Sequence, residues 1–121
     1  MTRAAVLRFA VAMLAVCGIL AAANGPVANP AMVCMMQDMV LTKPGIAVEH
    51  GGKTYYGCCD MCKQRIASDP EKYTKAKDPV SGKVVDKASA LIYGLEGTAF
   101  YFESKQTRAQ FAKDPKKYVK P

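Results

Sequence analysis

Alternating apolar and polar positions predict β-hairpins that are each followed by a short helix. The segments "AVEH" and "KTYY" flank Gly51 and Gly52, a pair that tolerates positive φ and predicts a tight turn between two strands. A helix is expected to begin near Cys59 or Asp60 and to end near Ser68. The sequence therefore predicts a hairpin and helix within about 25 residues.

The same pattern occurs a second time. "YYGCCDMCKQRIASDPEKY" (55–73) aligns with "FYFESKQTRAQFAKDPKKY" (100–118) at an offset of 45 residues, and "VCMM" (33–36) lies opposite "VSGK" (80–83) at an offset of 47. Both copies close on an Asp-Pro pair, which predicts one more helical turn. A unit of about 45 residues has a marginal core of its own. We therefore expect an α+β fold of two tandem ββα units that pack together.

One apolar residue in each predicted helix is expected to reach the core. Ile66 takes this position in the first copy, with Cys62 one helical turn before it, and Phe111 takes it in the second copy. Phe100 and Phe102 lie two positions apart in the last predicted strand, so they are expected to share one apolar face.

The most apolar stretch of the chain lies near its N terminus. Arg3 and Arg8 precede a run of 15 apolar residues, and Ala21 and Ala23 form a small-x-small cleavage pattern. The run is shorter than the roughly 20 residues that cross a bilayer. We therefore expect residues 1–23 to be a signal peptide, the protein to be exported to a periplasm, and no stable membrane span to remain.

An alternative use of the N-terminal segment is a lipid anchor at Cys17, although Val16 stands where a lipoprotein signal has a small residue. Two prolines and a glycine indicate that residues 24–31 form a linker. The predicted units are then residues 32–75, which carry the cysteines, and residues 76–121, which carry none.

Composition narrows the function class. The chain has 121 residues, half of them hydrophobic, and a formal charge of +7, which falls to +5 without the two arginines of the predicted signal. The lysines are spread along the chain and form neither blocks nor aromatic-interleaved stripes, so nucleic-acid binding is not expected. No pattern of general acid, base or activated water is evident, so we expect no enzymatic turnover.

The cysteines of the expected mature chain are the strongest chemical signal. They are Cys34, Cys58, Cys59 and Cys62. Cys58 and Cys62 are four residues apart, which places them on one side of a turn that enters a helix, and Cys34 can close the site from the preceding loop. The helix start and the neighbouring Lys63 are expected to lower the pKa of Cys62. The sequence thus predicts a soft-metal site formed by Cys34, Cys58 and Cys62.

Copper(I) and zinc(II) both suit this set of residues. Zinc in structural sites takes four ligands, and Cys59 or His50 could complete the set. Copper(I) accepts two or three sulfurs and also binds thioethers. Five of the seven methionines fall in the region of the cysteines, which favours copper(I) with Met36 as the candidate auxiliary ligand. Zinc(II) stays as the alternative.

Other interpretations of the cysteines stay open. In an exported protein they could form disulfides, and the Cys59-x-x-Cys62 pair could serve a thiol-disulfide oxidoreductase. "CDMCK" could also be a variant haem-attachment site with Lys63 in place of the usual histidine. A zinc or disulfide clasp could hold a protein-interaction module. For a metal carrier the partners would be metal donor or acceptor proteins, and the sequence does not indicate an oligomeric state.

Short motifs in both copies carry a family resemblance. The first copy has "VCMM", "GKTYYGC", the spacing of Cys58 and Cys62, and "DPEKY"; the second has "DPVSG", "FYF" and "DPKKY". Together they resemble the small YHS and TRASH metal-binding domains. The resemblance implies treble-clef-like ββα units and a role in heavy-metal trafficking, resistance or sensing, often of copper. The second copy has Ser81, Glu103 and Thr107 at the cysteine positions, so it is expected to bind no soft metal.

Overall fold

The computed structural model describes residues 24–119, which form an α+β fold, as the sequence predicts. The predicted signal peptide and Cys17 lie outside the described residues. The strands are β1 (Gly25–Val27), β2 (Val33–Cys34), β3 (Met39–Val40), β4 (Ile46–His50), β5 (Lys53–Gly57), β6 (Lys75–Lys77), β7 (Val84–Asp86), β8 (Leu91–Leu95) and β9 (Thr98–Phe102). The helices are α1 (Asp60–Ser68), α2 (Pro70–Thr74), α3 (Lys105–Lys113) and α4 (Pro115–Tyr118), with a short 3-10 helix at Pro30–Met32.

The internal duplication is visible in the order and length of these elements. The hairpin β4–β5 followed by α1 recurs as β8–β9 followed by α3, and each of these elements begins and ends 45 residues after its counterpart. The turns agree as well, because Gly51 and Gly52 have φ values of 58° and 76°, and Glu96 and Gly97 have values of 50° and 82°. A two-residue turn of this hand matches the twist of the strands that it joins.

The two copies share one antiparallel sheet. Its strand order is β1-β8-β9-β3-β2, so the hairpin of the second copy lies between β1, which precedes the first copy, and β3 of the first copy. Met39 of β3 lies opposite Thr98 of β9, and Gly25 of β1 lies opposite Gly94 of β8. Among the described residues, β4 and β5 form a separate two-stranded sheet, as do β6 and β7. Backbone hydrogen bonds therefore join the copies, in addition to side-chain packing.

Residues 24–31, which we expected to form a linker, contain regular structure. Gly25–Val27 form the edge strand β1, and the side chain of Asn29 accepts a hydrogen bond from the backbone N–H of Ala31 to cap the 3-10 helix. Gly94 keeps this side of the sheet compact, since a Cβ atom there would lie 2.9 Å from Cγ2 of Val40. A strand of three residues is too short to show an alternating pattern, which is why the sequence did not indicate it.

Two apolar clusters pack on opposite faces of the β8–β9 hairpin. The larger one combines both copies and consists of Val33, Met35, Val48, Tyr55, Ile66, Ile92, Ala99 and Tyr101. The smaller one consists of Tyr93, Phe102 and Phe111, with Phe100 against it. Ile66 and Phe111 are fully buried, as their helical positions predict. The cysteine-bearing copy therefore shares its core with the copy that lacks cysteines.

Asp86 in β7 connects the two copies through polar side chains. Its carboxylate accepts hydrogen bonds from Nζ of Lys53 at 2.9 Å, from the hydroxyl of Tyr55 at 2.8 Å and from Nζ of Lys75 at 3.3 Å. Burial acts to raise the pKa of Asp86, but these bonds and the N–H of Ala88 outweigh it and hold the pKa well below its ordinary value. The ionised form is therefore part of the folded state.

Acid should weaken the fold through this carboxylate. A group whose pKa is lowered by folding contributes stability above its unfolded pKa of about 3.9 and loses that contribution as the pH falls through the folded pKa. We expect the contribution of Asp86 to the free energy of unfolding to be constant above pH 5 and to decrease below pH 4, by about 2 kcal/mol. Denaturant titrations at pH 7 and pH 3 measure this. Asp86→Asn should be less stable at pH 7 and lose less on acidification; an identical acid loss in the variant would contradict the assignment.

Candidate metal centre

Three cysteines from two separated segments meet at one point. Cys34 ends β2, Cys58 directly follows β5, and Cys62 lies in the first turn of α1. Their sulfur atoms all lie within 4.8 Å of one another. Sγ of Cys62 is 3.8 Å from Sγ of Cys34 and 3.5 Å from Sγ of Cys58. The three-cysteine cluster is thus close enough to hold a metal ion.

The sulfur separations suit a bound ion better than a disulfide. A disulfide bond is about 2.05 Å long, which is much shorter than any of these distances. A zinc–sulfur bond of about 2.3 Å gives a sulfur–sulfur distance of roughly 3.8 Å in a tetrahedron and roughly 4.0 Å in a trigonal plane. The described thiols are therefore unpaired, and an ion fits between them with only small side-chain movements.

A hydrogen bond and a glycine bring the two segments together. The backbone N–H of Met35 donates to the carbonyl of Tyr56 at 2.8 Å, which fixes the loop after Cys34 against β5. Gly57 then lets α1 lie directly against the end of β5, since a Cβ atom at this position would be 2.8 Å from Cβ of Cys62. The missing side chain of Gly57 is therefore what allows Cys62 to reach the cluster.

Gly57→Ala should disturb the cluster without removing a ligand. The added methyl group requires α1 to shift, which we expect to cost about 1–3 kcal/mol of stability and to weaken metal binding by separating Cys62 from its partners. Denaturant titration and competitive metal titration measure the two effects. Gly25→Ala is the control, because a Cβ atom there would meet nothing within 4 Å. An unchanged metal affinity in Gly57→Ala would show that the close contact between Gly57 and α1 is not needed for metal binding.

The cluster is closed on one side and open on the other. Cys34 and Cys62 are 0% and 1% exposed, whereas Cys58 and the adjacent Cys59 are exposed to solvent. Two candidate ligands are therefore held by the protein core, and the third lies where an incoming molecule can reach it.

Burial gives Cys62 a pKa different from the one that its helix position predicts. We expected the helix start and Lys63 to lower this pKa, but burial raises it to about 12, and the nearby thiols of Cys58, Cys59 and Cys34 add to the increase. The sequence could not show this effect, since it depends on the burial of Cys62 and on three other sulfur atoms close to it in the folded chain. The metal-free cluster thus holds a proton at Cys62, which a metal must displace.

The pKa of Cys34 is shifted in the opposite direction, to a lower value. Burial acts to raise its pKa, but hydrogen bonds from the backbone N–H groups of Gln37, Cys58 and Met36 favour the thiolate and lower the pKa overall. A buried sulfur whose thiolate form is favoured by backbone donors suits a soft cation. The loop after Cys34 therefore determines the chemistry of that sulfur.

Groups from the second copy hold this loop. Lys87 is almost fully buried, and its Nζ donates to the carbonyl of Met35 and to Oδ1 of Asp38, both at 2.7 Å. The hydroxyl of Tyr101 donates to the same oxygen of Asp38 at 2.8 Å. Asp38 itself has a positive φ of 53°, which turns the loop back towards the sheet. No motif in the sequence indicates these roles, since they join residues about 50 or more positions apart.

The other candidate ligands lie at different places. Sγ of Cys59 is 3.5 Å from Sγ of Cys62, but Cys59 is not in the group whose sulfurs all lie within 4.8 Å of one another. His50 is an exposed residue at the end of β4, opposite Lys53, and it is not in that group either. Met36 packs against the larger apolar cluster. The described structure thus brings together three of the predicted ligands and places a fourth thiol beside them.

In the second copy a carboxylate occupies the corresponding place. Asp78 is 1% exposed, and it accepts hydrogen bonds from the backbone N–H groups of Ser81 at 3.1 Å and Glu103 at 2.9 Å. The hydroxyl of Thr107 helps to hold the pKa of Asp78 below its ordinary value against the effect of burial. These three partners stand at the positions of the three cysteines. Asp78 therefore connects in the second copy the elements that a metal would connect in the first.

No protein-family model, curated protein or solved structure matches the chain. Within residues 24–119, no helix combines the length and apolar character needed to span a bilayer. The fold and the site together define a small α+β protein with a three-cysteine cluster able to hold a metal ion.

Proposed function

We propose that the protein is an exported carrier that binds one soft cation, copper(I), through Cys34, Cys58 and Cys62, for trafficking, sequestration or resistance. The observation that carries the proposal is the convergence of three sulfurs from two segments, two of them buried and one exposed. A thiolate set without nitrogen or oxygen ligands favours soft ions.

The number of ligands supports copper(I) over zinc(II). Copper(I) is satisfied by three sulfurs, whereas zinc requires a fourth ligand. His50 is not part of the cluster, and Cys59, whose Sγ is 3.5 Å from Sγ of Cys62, is not in the group whose sulfurs all lie within 4.8 Å of one another. A zinc complex would need Cys59 to move inwards or a water molecule to complete the tetrahedron.

The exposed thiols suggest how the ion is passed on. An incoming donor or acceptor protein would exchange ligands with Cys58 first, because this sulfur is accessible, and Cys34 and Cys62 would release the ion afterwards. The exposed thiol of Cys59, beside the cluster, would bind the ion as it enters. The proposal includes no catalytic turnover, since the ion is the cargo of the protein.

The export signal and the family assignment are further parts of the proposal. The arginine-initiated apolar segment at residues 1–23 supports cleavage before Asn24. The repeated hairpin and helix supports treble-clef-like units of the YHS and TRASH type, in which the second copy has lost its ligands. Mass measurement of the protein purified from its exporting host would test the cleavage site, and a product that retains residue 1 would contradict it.

Anaerobic metal titration tests the central proposal. The reduced mature protein, with its four thiols counted under denaturing conditions, is titrated with copper(I) and with zinc(II) against a chromophoric chelator. We expect one copper(I) per chain, Cu–S scattering from three sulfurs in X-ray absorption, and circular dichroism that changes little on binding. Failure to compete for copper(I) would refute the carrier. Zinc binding whose loss unfolds the chain would instead show a structural clasp.

One observation favours a second candidate, a thiol-disulfide oxidoreductase. Cys59 is exposed at the N-cap of α1, lies 3.5 Å from Cys62, and has a pKa lowered chiefly by the backbone N–H of Cys62. An insulin-reduction assay distinguishes the two: a rate above that of a free dithiol would support the oxidoreductase, and a rate no higher would remove it.

A further inference from the structure

A cavity of about 480 Å³ lies beside the loop that follows Cys34. Its walls come from that loop, from the end of α2 with β6, and from β9. The volume is within the range of roughly 300–1,000 Å³ that small-molecule sites occupy. It is separate from the cysteines, none of which lines it.

The charge of the cavity wall is strongly positive. Four lysines line it, Lys72, Lys75, Lys77 and Lys87, against a single carboxylate, Asp38. Among the described residues, Lys72 and Lys77 have no carboxylate within ion-pair distance, while Lys75 and Lys87 are paired. A concave surface lined by one sign of charge concentrates ions of the opposite sign. The wall therefore favours an anion.

A buried donor makes this cavity different from a patch of surface lysines. The side chain of Lys87 is 4% exposed and uses two of its N–H groups for Met35 and Asp38 at 2.7 Å. An ammonium group has three N–H donors, so one remains beyond these two hydrogen bonds. Nζ of Lys87 also lies 5.1 Å from the centre of the Tyr101 ring, and both residues line the cavity. A bound anion could accept it in a partly desolvated place, where such a hydrogen bond is strong.

The remaining wall is apolar and aromatic. Tyr73, Ala76, Ala99 and Phe100 line it, and Nζ of Lys72 lies 5.3 Å from the centre of the Tyr73 ring. We infer that the cavity binds a small organic anion, a carboxylate or phosphate attached to an apolar or aromatic body. This activity goes beyond metal carriage and does not depend on it.

Calorimetric titration of the reduced protein tests the inference with three probes of similar shape: benzoate, phenyl phosphate and benzyl alcohol. We expect one site per chain for at least one of the two anions and no saturable binding of the alcohol. Whichever of benzoate and phenyl phosphate binds with the higher affinity shows which anionic group the cavity prefers. Cys34→Ser should leave this binding unchanged, so that its outcome is independent of copper(I) binding.

The repeat supplies a matched control for the lysines. Lys72→Glu should weaken anion binding about tenfold, equivalent to about 1.4 kcal/mol. Lys117→Glu should leave it unchanged, because Lys117 is the counterpart 45 residues later and lies 5.6 Å from the ring of Tyr118, away from the cavity. Lys77→Glu is a second cavity variant in case the first misfolds. Equal weakening by Lys117→Glu, equal binding of the alcohol, or no binding of either anion would overturn the inference.

Discussion

Replacing Cys34 with serine is expected to lower the affinity for copper(I) more than about 100-fold, since even residues that only support a ligand typically contribute 10–100-fold. Cys34 is fully buried, and its sulfur is the one that comes from the distant segment of the chain. A serine hydroxyl is a hard and protonated donor that a soft ion binds poorly. It can still accept hydrogen bonds from the loop that surrounds Cys34, so the fold should persist.

Competitive titration with a copper(I) chelator measures this loss. Ser81→Ala is the matched control, because Ser81 stands at the same place in the second copy, where its hydroxyl donates to Glu103 at 3.1 Å. Its affinity for copper(I) should stay within twofold of the wild type. Cys59→Ser separates two geometries: a small effect indicates three ligands, and a loss as large as that of Cys34→Ser indicates four. An unchanged affinity in Cys34→Ser would exclude Cys34 from the site.

Removing the carboxylate of Asp78 is expected to cost about 3 kcal/mol of stability, because Asp78→Ala leaves three part-buried N–H groups without this acceptor, each at about 1 kcal/mol. The donors are the backbone groups of Val80, Ser81 and Glu103, at 2.7, 3.1 and 2.9 Å. The loss should spread through the whole fold, since the hairpin that Asp78 supports forms the centre of the shared sheet.

Denaturant unfolding of the metal-free protein measures this effect. Asp69→Ala is a suitable control, since Asp69 is exposed and its side chain makes no capping hydrogen bond at the start of α2; it should change stability by less than about 0.5 kcal/mol. Copper(I) affinity should fall in Asp78→Ala only as far as the fold is lost. A change in stability below 1 kcal/mol for Asp78→Ala would show that the carboxylate is not the cross-link of the second copy.

The two copies differ in the groups that hold their loop, hairpin and helix together. Each must hold a loop, the end of a hairpin and a helix together at one point. Asp78 does so in the second copy without any ion, and the shared core supports the first copy from the other side. We therefore expect the first copy to fold without an ion, as the proposal that the ion is cargo requires.

Local patterns in the sequence predicted the elements of this fold and most of the cluster. Turn glycines, the Asp-Pro pairs and the buried positions of Ile66 and Phe111 act over a few residues, so they are readable along the chain. The spacing of Cys58 and Cys62 likewise depends on a single helical turn. Cys34 was expected to close the site from the loop that precedes the hairpin.

The rest depends on contacts between residues that are distant in the sequence. Strand β1 is too short to show a pattern, and its partner β8 lies about 67 positions later. The burial of Lys87 follows from Asp38 and Met35 on the other copy, and the pKa of Cys62 follows from the sulfurs gathered around it. Such effects arise from packing and from desolvation, which single residues do not reveal.

The interleaved order of the sheet also restricts how such a gene can be shortened. A truncation after residue 77 would remove β8 and β9, and the surviving β1 and β3 would keep their unpaired backbone groups facing solvent. Exposed strand edges of this kind recruit other chains and promote aggregation. A shortened protein without the second copy would thus keep its cysteines but become less soluble. This is a physical reason for the copy without cysteines to persist.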